Sequence, residues 1–217
     1  MSFIALEKDD FNYAKFAVRF GAAIMAALLL DGWIASAAAP ISSWVKRSEF
    51  AEEIKEPGHF AFVIILAGFV WILHPTKWRG ATALWGSGIL AGLMYTVAKW
   101  PVGRIRPNKG VAPWHFEPFR NGWAGILHAE NVAFPSGHTT LAFATAACMS
   151  YLLPKGQWAF YTVAGMVALE RVAEQAHYLS DVVSGAAFGI LAFRFYLFLT
   201  NLPSRPISTP ASTAATV

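Results

Sequence analysis

Six apolar segments, separated by short polar connections, constrain this chain more than any other feature of its sequence. The segments are residues 20–39, 60–73, 81–98, 138–153, 157–169 and 178–199. About 20 apolar residues in a helix cross the hydrocarbon core of a bilayer, and the first and last segments reach that length. A helix also satisfies its own backbone hydrogen bonds inside lipid. We therefore predict an all-α fold, an integral membrane bundle of six transmembrane helices.

The composition excludes several other classes of protein. Hydrophobic residues make up 56% of the chain and charged residues 14%, whereas a soluble domain carries roughly 25% charged residues. A soluble globule and a disordered chain are therefore both excluded. The single cysteine, Cys148, excludes an intramolecular disulfide and a cysteine-based zinc site. The net charge of +4 is not arranged as a basic run, so we expect no nucleic acid partner and instead an anionic lipid or phosphate substrate.

The chain divides into one membrane domain, residues 1–202, and a Ser/Thr/Ala/Pro-rich tail, residues 203–217, which we expect to be disordered. Residues 41–57 are predicted to form a short exposed amphipathic helix that ends at Pro57. The first apolar segment has an alternative interpretation as a cleaved signal peptide, with a cleavage site at Ala35-Ser36-Ala37. The long acidic region that precedes this segment argues against cleavage.

Six spans place both termini on one side of the membrane, and the connections after spans one, three and five on the other. The polar loop 99–135 and the connection 170–177 therefore share one face. Three motifs lie there: Lys99-Trp-Pro-Val-Gly-Arg-Ile-Arg106-Pro107, Phe134-Pro135-Ser136-Gly137-His138, and Arg171-Val-Ala-Glu-Gln-Ala-His177-Tyr-Leu-Ser-Asp181. Each motif begins or ends an apolar segment.

The first group of residues in these motifs suits an anion. Lys99, Arg106 and Arg171 bring three cations to one membrane surface. Ser136 and Gly137 stand at the predicted start of the fourth helix, where free N–H groups and the positive end of the dipole favour a phosphoryl group.

The second group suits proton transfer and nucleophilic attack. His177 and Asp181 are four residues apart, so on one helix they share a face, and a carboxylate beside an imidazole fixes its tautomer. His138 supplies a second imidazole. One histidine can act as a nucleophile while the other donates a proton to the leaving oxygen.

Each motif also has a structural interpretation when taken alone. Pro-Ser-Gly-His can be a turn with a helix cap, His177–Asp181 can be a structural pair, and Lys99 and Arg106 can be cations that snorkel at a span end. Their joint occurrence on one face favours the phosphate site.

The pattern Lys-x6-Arg-Pro, Pro-Ser-Gly-His, Arg-x5-His-x3-Asp resembles the three-part signature of the type 2 phosphatidic acid phosphatase and vanadium haloperoxidase superfamily, in its membrane lipid phosphatase branch. The resemblance covers residues 99–181 in motif order. One departure is Glu170, which stands where the family usually has Ser before the arginine of the third motif. This carboxylate either tunes substrate or pH preference or points away from the site.

The resemblance implies a role for each residue of the motifs. Lys99, Arg106 and Arg171 would bind the phosphoryl oxygens, with help from Ser136 and the backbone N–H of Gly137. The same resemblance makes His177 the nucleophile that forms a phosphohistidine, makes Asp181 the residue that orients it, and makes His138 the acid and then the base. It implies no metal and no cofactor, because the cations neutralise the charge of the transition state.

The implied function is that of an integral membrane phosphoric monoester hydrolase or lipid pyrophosphatase. The resemblance places the site at the periplasmic face of a bacterial inner (cytoplasmic) membrane, with a lipid phosphate as partner. The candidate substrates are phosphatidic acid, phosphatidylglycerophosphate, undecaprenyl pyrophosphate and the lipid A phosphates. Alternatives of other classes are a transporter of a phosphorylated solute, a vanadate-dependent haloperoxidase and an inactive membrane scaffold. A transporter would have ionisable groups deep in its spans, whereas here only Asp31, Arg19 and Arg194 approach the spans and the motifs lie at span ends. Haloperoxidases are typically larger and soluble, which the apolar composition contradicts. The intact His138, His177 and Asp181 argue against an inactive scaffold.

Overall fold

A computed structural model of the protein describes residues 11–119, 122 and 131–203. Over these residues the chain forms the helices α1 Tyr13–Arg47, α2 Glu49–Lys55, α3 Phe60–Leu73, α4 Trp78–Val102, α5 Gly137–Leu152, α6 Gln157–Ala173 and α7 Leu179–Leu199. Short 3₁₀ turns occur at Glu56–Gly58, Pro107–Lys109 and Pro154–Gly156. The described residues contain isolated β-bridges but no strand. The predicted all-α class is confirmed.

Three of these helices, α1, α4 and α7, are long and apolar enough to cross a membrane. The segment Glu49–Gly58 and helix α3 together make a fourth candidate if the pair, bent by 66°, counts as one span. Helices α5 and α6, with 16 and 17 residues, are shorter than the roughly 20 residues of a typical span. The protein is therefore an integral membrane protein with three or four candidate spans in its described part.

Two helices extend further into the motifs than their apolar segments predicted. Helix α4 continues through Pro101 to Val102, so Lys99 lies in its last turn rather than in the following loop. Helix α6 continues to Ala173, so Arg171 is helical. Polar residues do not by themselves end a helix; α4 ends at Gly103, whose left-handed backbone (φ 59°) lies against Glu117. A Cβ at Gly103 would stand 2.0 Å from the Glu117 carbonyl oxygen, so only glycine fits there.

Helix α5 forms the centre of the bundle and packs against α4, α6 and α7. Most of its residues are buried, and many are Ala or Thr, which let neighbouring helices approach closely. On the facing side of α7, a Cβ added at Gly189 would lie 2.3 Å from the carbonyl oxygen of Thr140. This close contact brings the start of α7 beside the start of α5, where the second and third motifs meet.

The prediction for residues 41–57 needs correction. Residues 41–47 belong to α1, and the amphipathic helix is only α2, which begins after its N-cap Ser48. Helix α2 packs against α6 and buries Ala51, so it is not a free surface helix. It was expected to be exposed because its charged residues dominate its sequence, although they leave one small apolar face. Residues 204–217 of the predicted tail lie outside the described residues.

Candidate active site

The three motifs meet at one end of the bundle. Lys99 lies in the last turn of α4, His138 in the first turn of α5 and Arg171 in the last turn of α6. His177 lies in the connection between α6 and α7, and Asp181 in the first turn of α7. The backbone N–H of Ser136 donates to the Asp181 carbonyl oxygen over 3.1 Å, which joins the second motif directly to the third.

The loop after α4 is folded back by backbone hydrogen bonds. The N–H of Ala133 donates to the carbonyl oxygen of Arg104 over 2.6 Å, and the N–H of Arg106 donates to that of Asn131 over 3.3 Å. The N–H of Asn108 donates to the Gln175 carbonyl oxygen over 3.1 Å. These bonds hold the first motif against both of the others.

His177 is buried, and a backbone carbonyl sets its tautomer. Its Nδ1 lies 2.7 Å from the carbonyl oxygen of Ala133. A carbonyl oxygen only accepts hydrogen bonds, so Nδ1 carries the proton and Nε2 keeps its lone pair. The Asp181 carboxylate stands 3.9 Å from Nδ1, beyond hydrogen-bond range. The helical spacing argument for this pair is wrong, because α7 begins at Leu179 and His177 precedes it.

Asp181 instead belongs to a buried polar network. One carboxylate oxygen accepts from Nη1 of Arg104 over 2.7 Å and the other from the N–H of Tyr178 over 2.8 Å. Arg104 also donates from Nη2 to Asp31 in the middle of α1 over 2.7 Å and from Nη1 to the Ser180 hydroxyl over 2.6 Å. Arg104, Asp31 and Asp181 are all at most 1% exposed. The network ties α1, the first motif and α7 together beside His177.

Arg171 is paired with two carboxylates of its own helix. Its Nε lies 2.5 Å from Oε2 of Glu170 and its Nη2 lies 2.8 Å from Oε1, so the guanidinium binds that carboxylate through two nitrogens. Nη2 also lies 2.5 Å from a carboxylate oxygen of Glu174. The unusual Glu170 therefore points toward the site rather than away from it. Arg171 is 6% exposed and Glu170 7%, so this ion pair is buried.

Among the remaining anion-binding candidates, Lys99 and Ser136 are buried, whereas Arg106 and Gly137 are half-buried. The Nζ of Lys99 donates to the carbonyl oxygen of Val132 over 3.4 Å. Ser136 occupies the N-cap position of α5, but its hydroxyl makes no capping hydrogen bond and accepts from Thr139 over 3.0 Å instead. Gly137 opens the helix. The start of a helix offers N–H groups and a positive dipole end to an anion.

His138 contacts a histidine that lies outside the three motifs. The Nε2 atoms of His138 and His59 are 3.3 Å apart, and the two rings stand nearly perpendicular. His59 lies between the turn Glu56–Gly58 and α3. The predicted topology indicated that His59 could lie near the motifs, because it placed the connection after the first span on the same face.

Electrostatics keep His177 neutral. Burial lowers the pKa of its imidazole well below the ordinary value of 6.5, and the neighbouring cations Arg106, Lys99 and Arg171 lower it further. Among the residues that the structure describes, no group of three or more His, Cys, Asp or Glu side chains could hold a metal ion. The arrangement is a neutral, oriented imidazole in a buried cationic pocket.

Several residues of this site were missed from the sequence: Arg104, Asp31, His59 and the carbonyl of Ala133. Asp31 lies inside the first apolar segment. An ionisable residue inside an apolar segment is itself a signal that a partner exists nearby. The sequence did not indicate which partner.

Sequence comparison relates this chain to characterised enzymes. It is 36% identical to the lipid A 1-phosphatase of Rhizobium etli over 115 residues, which cover 52% of this chain and 47% of the relative. It is 30% identical to phosphatidylglycerophosphatase B of Bacillus subtilis over 142 residues, which cover 60% of this chain and 63% of the relative. The chain thus spans about half the length of the lipid A 1-phosphatases of Rhizobium that it matches.

Solved structures share the fold. The crystal structure of the transmembrane PAP2 type phosphatidylglycerolphosphate phosphatase from Bacillus subtilis matches with a TM-score of 0.58 at 22% identity, covering 86% of this chain and 94% of that one. Aquifex aeolicus LpxE matches with a TM-score of 0.52 at 17% identity, covering 88% and 98%. The family model of the PAP2 superfamily matches residues 80–203, which is more than half of the chain and includes all three motifs. The chain therefore belongs to the PAP2 superfamily.

Proposed function

We propose that this protein is an integral membrane lipid phosphatase that hydrolyses a phosphomonoester or pyrophosphate of a lipid through a phosphohistidine, without a metal ion. The observation that carries the proposal is the state of His177. Its Nδ1–H donates to the Ala133 carbonyl oxygen, its Nε2 lone pair is left for attack, and burial together with the charges of Arg106, Lys99 and Arg171 holds the pKa of the ring low. A neutral imidazole beside a cationic pocket is arranged for attack on a phosphate.

The reaction then has two steps. In the first, Nε2 of His177 forms a bond to phosphorus, the bond to the leaving oxygen breaks, and His138 gives that oxygen a proton. In the second, His138 takes a proton from water, the water oxygen bonds to phosphorus, and the nitrogen–phosphorus bond breaks. Phosphate is released and both histidines return to their starting states.

The cations stabilise charge on the phosphoryl oxygens in both steps. Lys99, Arg106 and Arg171 supply it, with the Ser136 hydroxyl and the N–H of Gly137. Arg171 has to exchange part of its carboxylate pairing for phosphate oxygens. Its partners lie on the same helix, so this exchange needs side-chain rotation only. Asp181 does not contact the phosphate in this proposal. Its carboxylate binds Arg104, and this pair holds the start of α7 beside His177.

The proposed membrane arrangement has six crossings within residues 1–202. The three long helices cross, α3 crosses together with the segment before it, and α5 and α6 cross as short central helices. The motif end of the bundle faces the periplasm of a bacterial inner membrane, and both termini lie in the cytoplasm. The substrate would then be reached from the outer leaflet.

The proposed substrate is a lipid phosphate of the lipid A or phosphatidylglycerophosphate type, by analogy with the names of the relatives. An apolar groove of about 460 Å³ between α1, α5, α6 and α7 supports a lipid. Val172 and Leu179 line it, and these residues are close in sequence to Arg171 and His177. An acyl chain in this groove would leave its headgroup near the motif residues.

Purified protein in detergent tests the chemistry. We expect release of phosphate from a panel of lipid phosphates with EDTA present, inhibition by orthovanadate as a five-coordinate mimic of the transition state, and an acid-labile phosphohistidine. His177→Ala should abolish turnover. The control His74→Ala, at the C-terminal end of α3, should keep it. A strict need for magnesium, or activity in His177→Ala, would overturn the proposal.

Cysteine labelling tests the topology in a Cys148→Ser background. Lys109→Cys, in the exposed turn after the first motif, should react with an impermeant thiol reagent from the periplasm. Lys155→Cys, in the exposed turn before α6, should not. The reverse pattern would put the site in the cytoplasm.

A further inference from the structure

His59 is placed against His138 by the backbone and not by a flexible side chain. The turn Glu56–Gly58 precedes it, and the N–H of His59 donates to the Glu56 carbonyl oxygen over 2.9 Å. A Cβ at Gly58 would stand 2.8 Å from the Cβ of His138 and 2.9 Å from its carbonyl oxygen. Glycine at this position is what allows the turn to lie on the first turn of α5 and the two rings to meet.

The contact between the rings requires a proton. Two Nε2 lone pairs 3.3 Å apart would repel each other, so one nitrogen carries a hydrogen and the other accepts it. The His59 side chain is 41% exposed to solvent. The pair therefore connects the inner histidine to solvent.

Charged groups also act on the pair. The protonated form of His138 is the one that serves the leaving oxygen, and a hydrogen-bond acceptor at Nε2 favours that form. On the outer side, a Glu56 carboxylate oxygen lies 3.9 Å from Nε2 of His59. Five charged groups act on the pair: Glu56 from the turn, Glu52 and Lys55 from α2, Lys99 from α4 and Arg171 from α6. The carboxylates of Glu56 and Glu52 act on His59, whereas Lys99 and Arg171 act on His138.

We propose that His59 is a positioning residue that holds His138 in its protonated form for the first step, an inference that rests on the proposed phosphatase function. The Nε2–H of the His138 imidazolium donates to Nε2 of His59. The proton on Nδ1 then goes to the leaving oxygen as its bond to phosphorus breaks, and the bond to His59 remains. In the second step the proton from water returns to His138.

The dependence on the leaving group separates this role from a structural one. A lipid alkoxide needs a proton in order to leave, whereas para-nitrophenolate does not. His59→Phe keeps the ring volume but has no acceptor. We expect it to lower kcat on phosphatidic acid by about ten- to a hundredfold, within the range that proton transfer contributes, and to change kcat on para-nitrophenyl phosphate by less than about threefold. The ratio of the two rates does not depend on how much of the variant folds.

Two further variants and a pH profile complete the test. His59→Gln retains an acceptor and should recover part of the rate on phosphatidic acid. His115→Phe, at an exposed histidine paired with Glu117 in the loop between the first two motifs, should leave the ratio unchanged. In His59→Phe the basic limb of kcat on phosphatidic acid should move to lower pH, because the protonated form of His138 is the active one and loses its acceptor.

The outcomes distinguish the two proposals. If the wild type is active and His59→Phe loses the same factor on both substrates, or loses nothing on either, the role of His59 is wrong while the phosphatase function stands. If the wild type hydrolyses neither substrate, the proposed function fails and this inference fails with it.

Discussion

Two buried arginines belong to the site, and each is paired with two carboxylates. Arg104 meets Asp31 from α1 and Asp181 from α7, with partners 73 and 77 residues away in sequence. Arg171 meets Glu170 and Glu174 from its own helix. Burial and charge are alike at the two sites. The difference is that one arginine joins distant helices and the other is paired locally.

This difference separates a residue that holds the fold from one that is available to a ligand. Removing Arg104 would leave two carboxylates buried without a cation and would remove one of the polar links between α1 and α7, the other being the pair of bonds from Ser180 to Asp31. Removing contacts of Arg171 leaves the helices in place, because no second helix depends on them through these ion pairs. Partners on the same helix can also rotate aside when phosphate arrives. Burial alone would not have distinguished the two roles.

The largest expected effect is on stability. Arg104→Met should lower the free energy of unfolding by about 3–5 kcal/mol, the usual result when one partner of a buried ion pair is removed. Thermal unfolding in detergent measures this loss. Arg79→Met, at an exposed arginine over Trp78, should change it little. If Arg104→Met unfolded at the same temperature as Arg79→Met, Arg104 would not be a residue that stabilises the fold.

The next effect is on catalysis at the other arginine. Arg171→Lys keeps the charge but loses the planar fork that binds two oxygens. Loss of such a charge-assisted pair costs about 1.5–3 kcal/mol, so kcat should fall on the order of ten- to a hundredfold and by more than KM rises. Steady-state kinetics on the best lipid phosphate measures it. A rise in KM alone would mean that Arg171 only binds the ground state.

Restoring the serine of the family pattern should have a smaller effect of the opposite sign. Glu170→Ser removes one negative charge from the phosphate site, so inorganic phosphate and orthovanadate should inhibit several-fold more tightly. Glu53→Ser, at an exposed carboxylate of α2, is the matched control. Unchanged or weaker inhibition in Glu170→Ser would show that its carboxylate does not compete with phosphate.

The smallest effect concerns pH. The nucleophile has to be neutral, and Arg171 is one of the cations that lower the pKa of His177. Arg171→Met should therefore raise that pKa and move the acid limb of kcat/KM to higher pH, by about one unit. The second ionisation of the substrate, near pH 6, is common to both enzymes and cancels in the difference. A limb that moves to lower pH would contradict this assignment.

The sequence predicted which residues gather at the site better than how they are connected. All eight motif residues that the resemblance named lie at one end of the bundle, because their spacing relative to the apolar segments reflects where helices begin and end. Their individual roles stay predictions. Asp181 shows the limit: its spacing from His177 suggested a shared helix face, but α7 begins between them and a backbone carbonyl takes the bond. A backbone acceptor leaves no trace in side-chain patterns.

Long-range pairings were beyond the sequence for a physical reason. The bond between Asp31 and Arg104 depends on how α1 packs on α7, which periodicity does not encode. The position of Glu170 depended on a helix end that apolar composition placed four residues too early. His59 needed the close contact of Gly58 with α5, which only the packed bundle reveals. Each of these features depends on how the helices pack, and the sequence around each residue is compatible with more than one arrangement.

The network around Asp31 also has a consequence for how the protein is made. Arg104 lies 73 residues after Asp31 in the sequence, and Ser180 lies 149 residues after it. At a synthesis rate of about 5–20 residues per second, the Asp31 carboxylate therefore waits roughly 4–15 seconds for Arg104 and 7–30 seconds for Ser180. During that time the Asp31 carboxylate lacks the partners that it has in the folded protein, and an ionised group in an apolar segment disfavours insertion. The apolar residues of α1 offset this cost. The polar link between α1 and α7 therefore closes only after the last helix has been made.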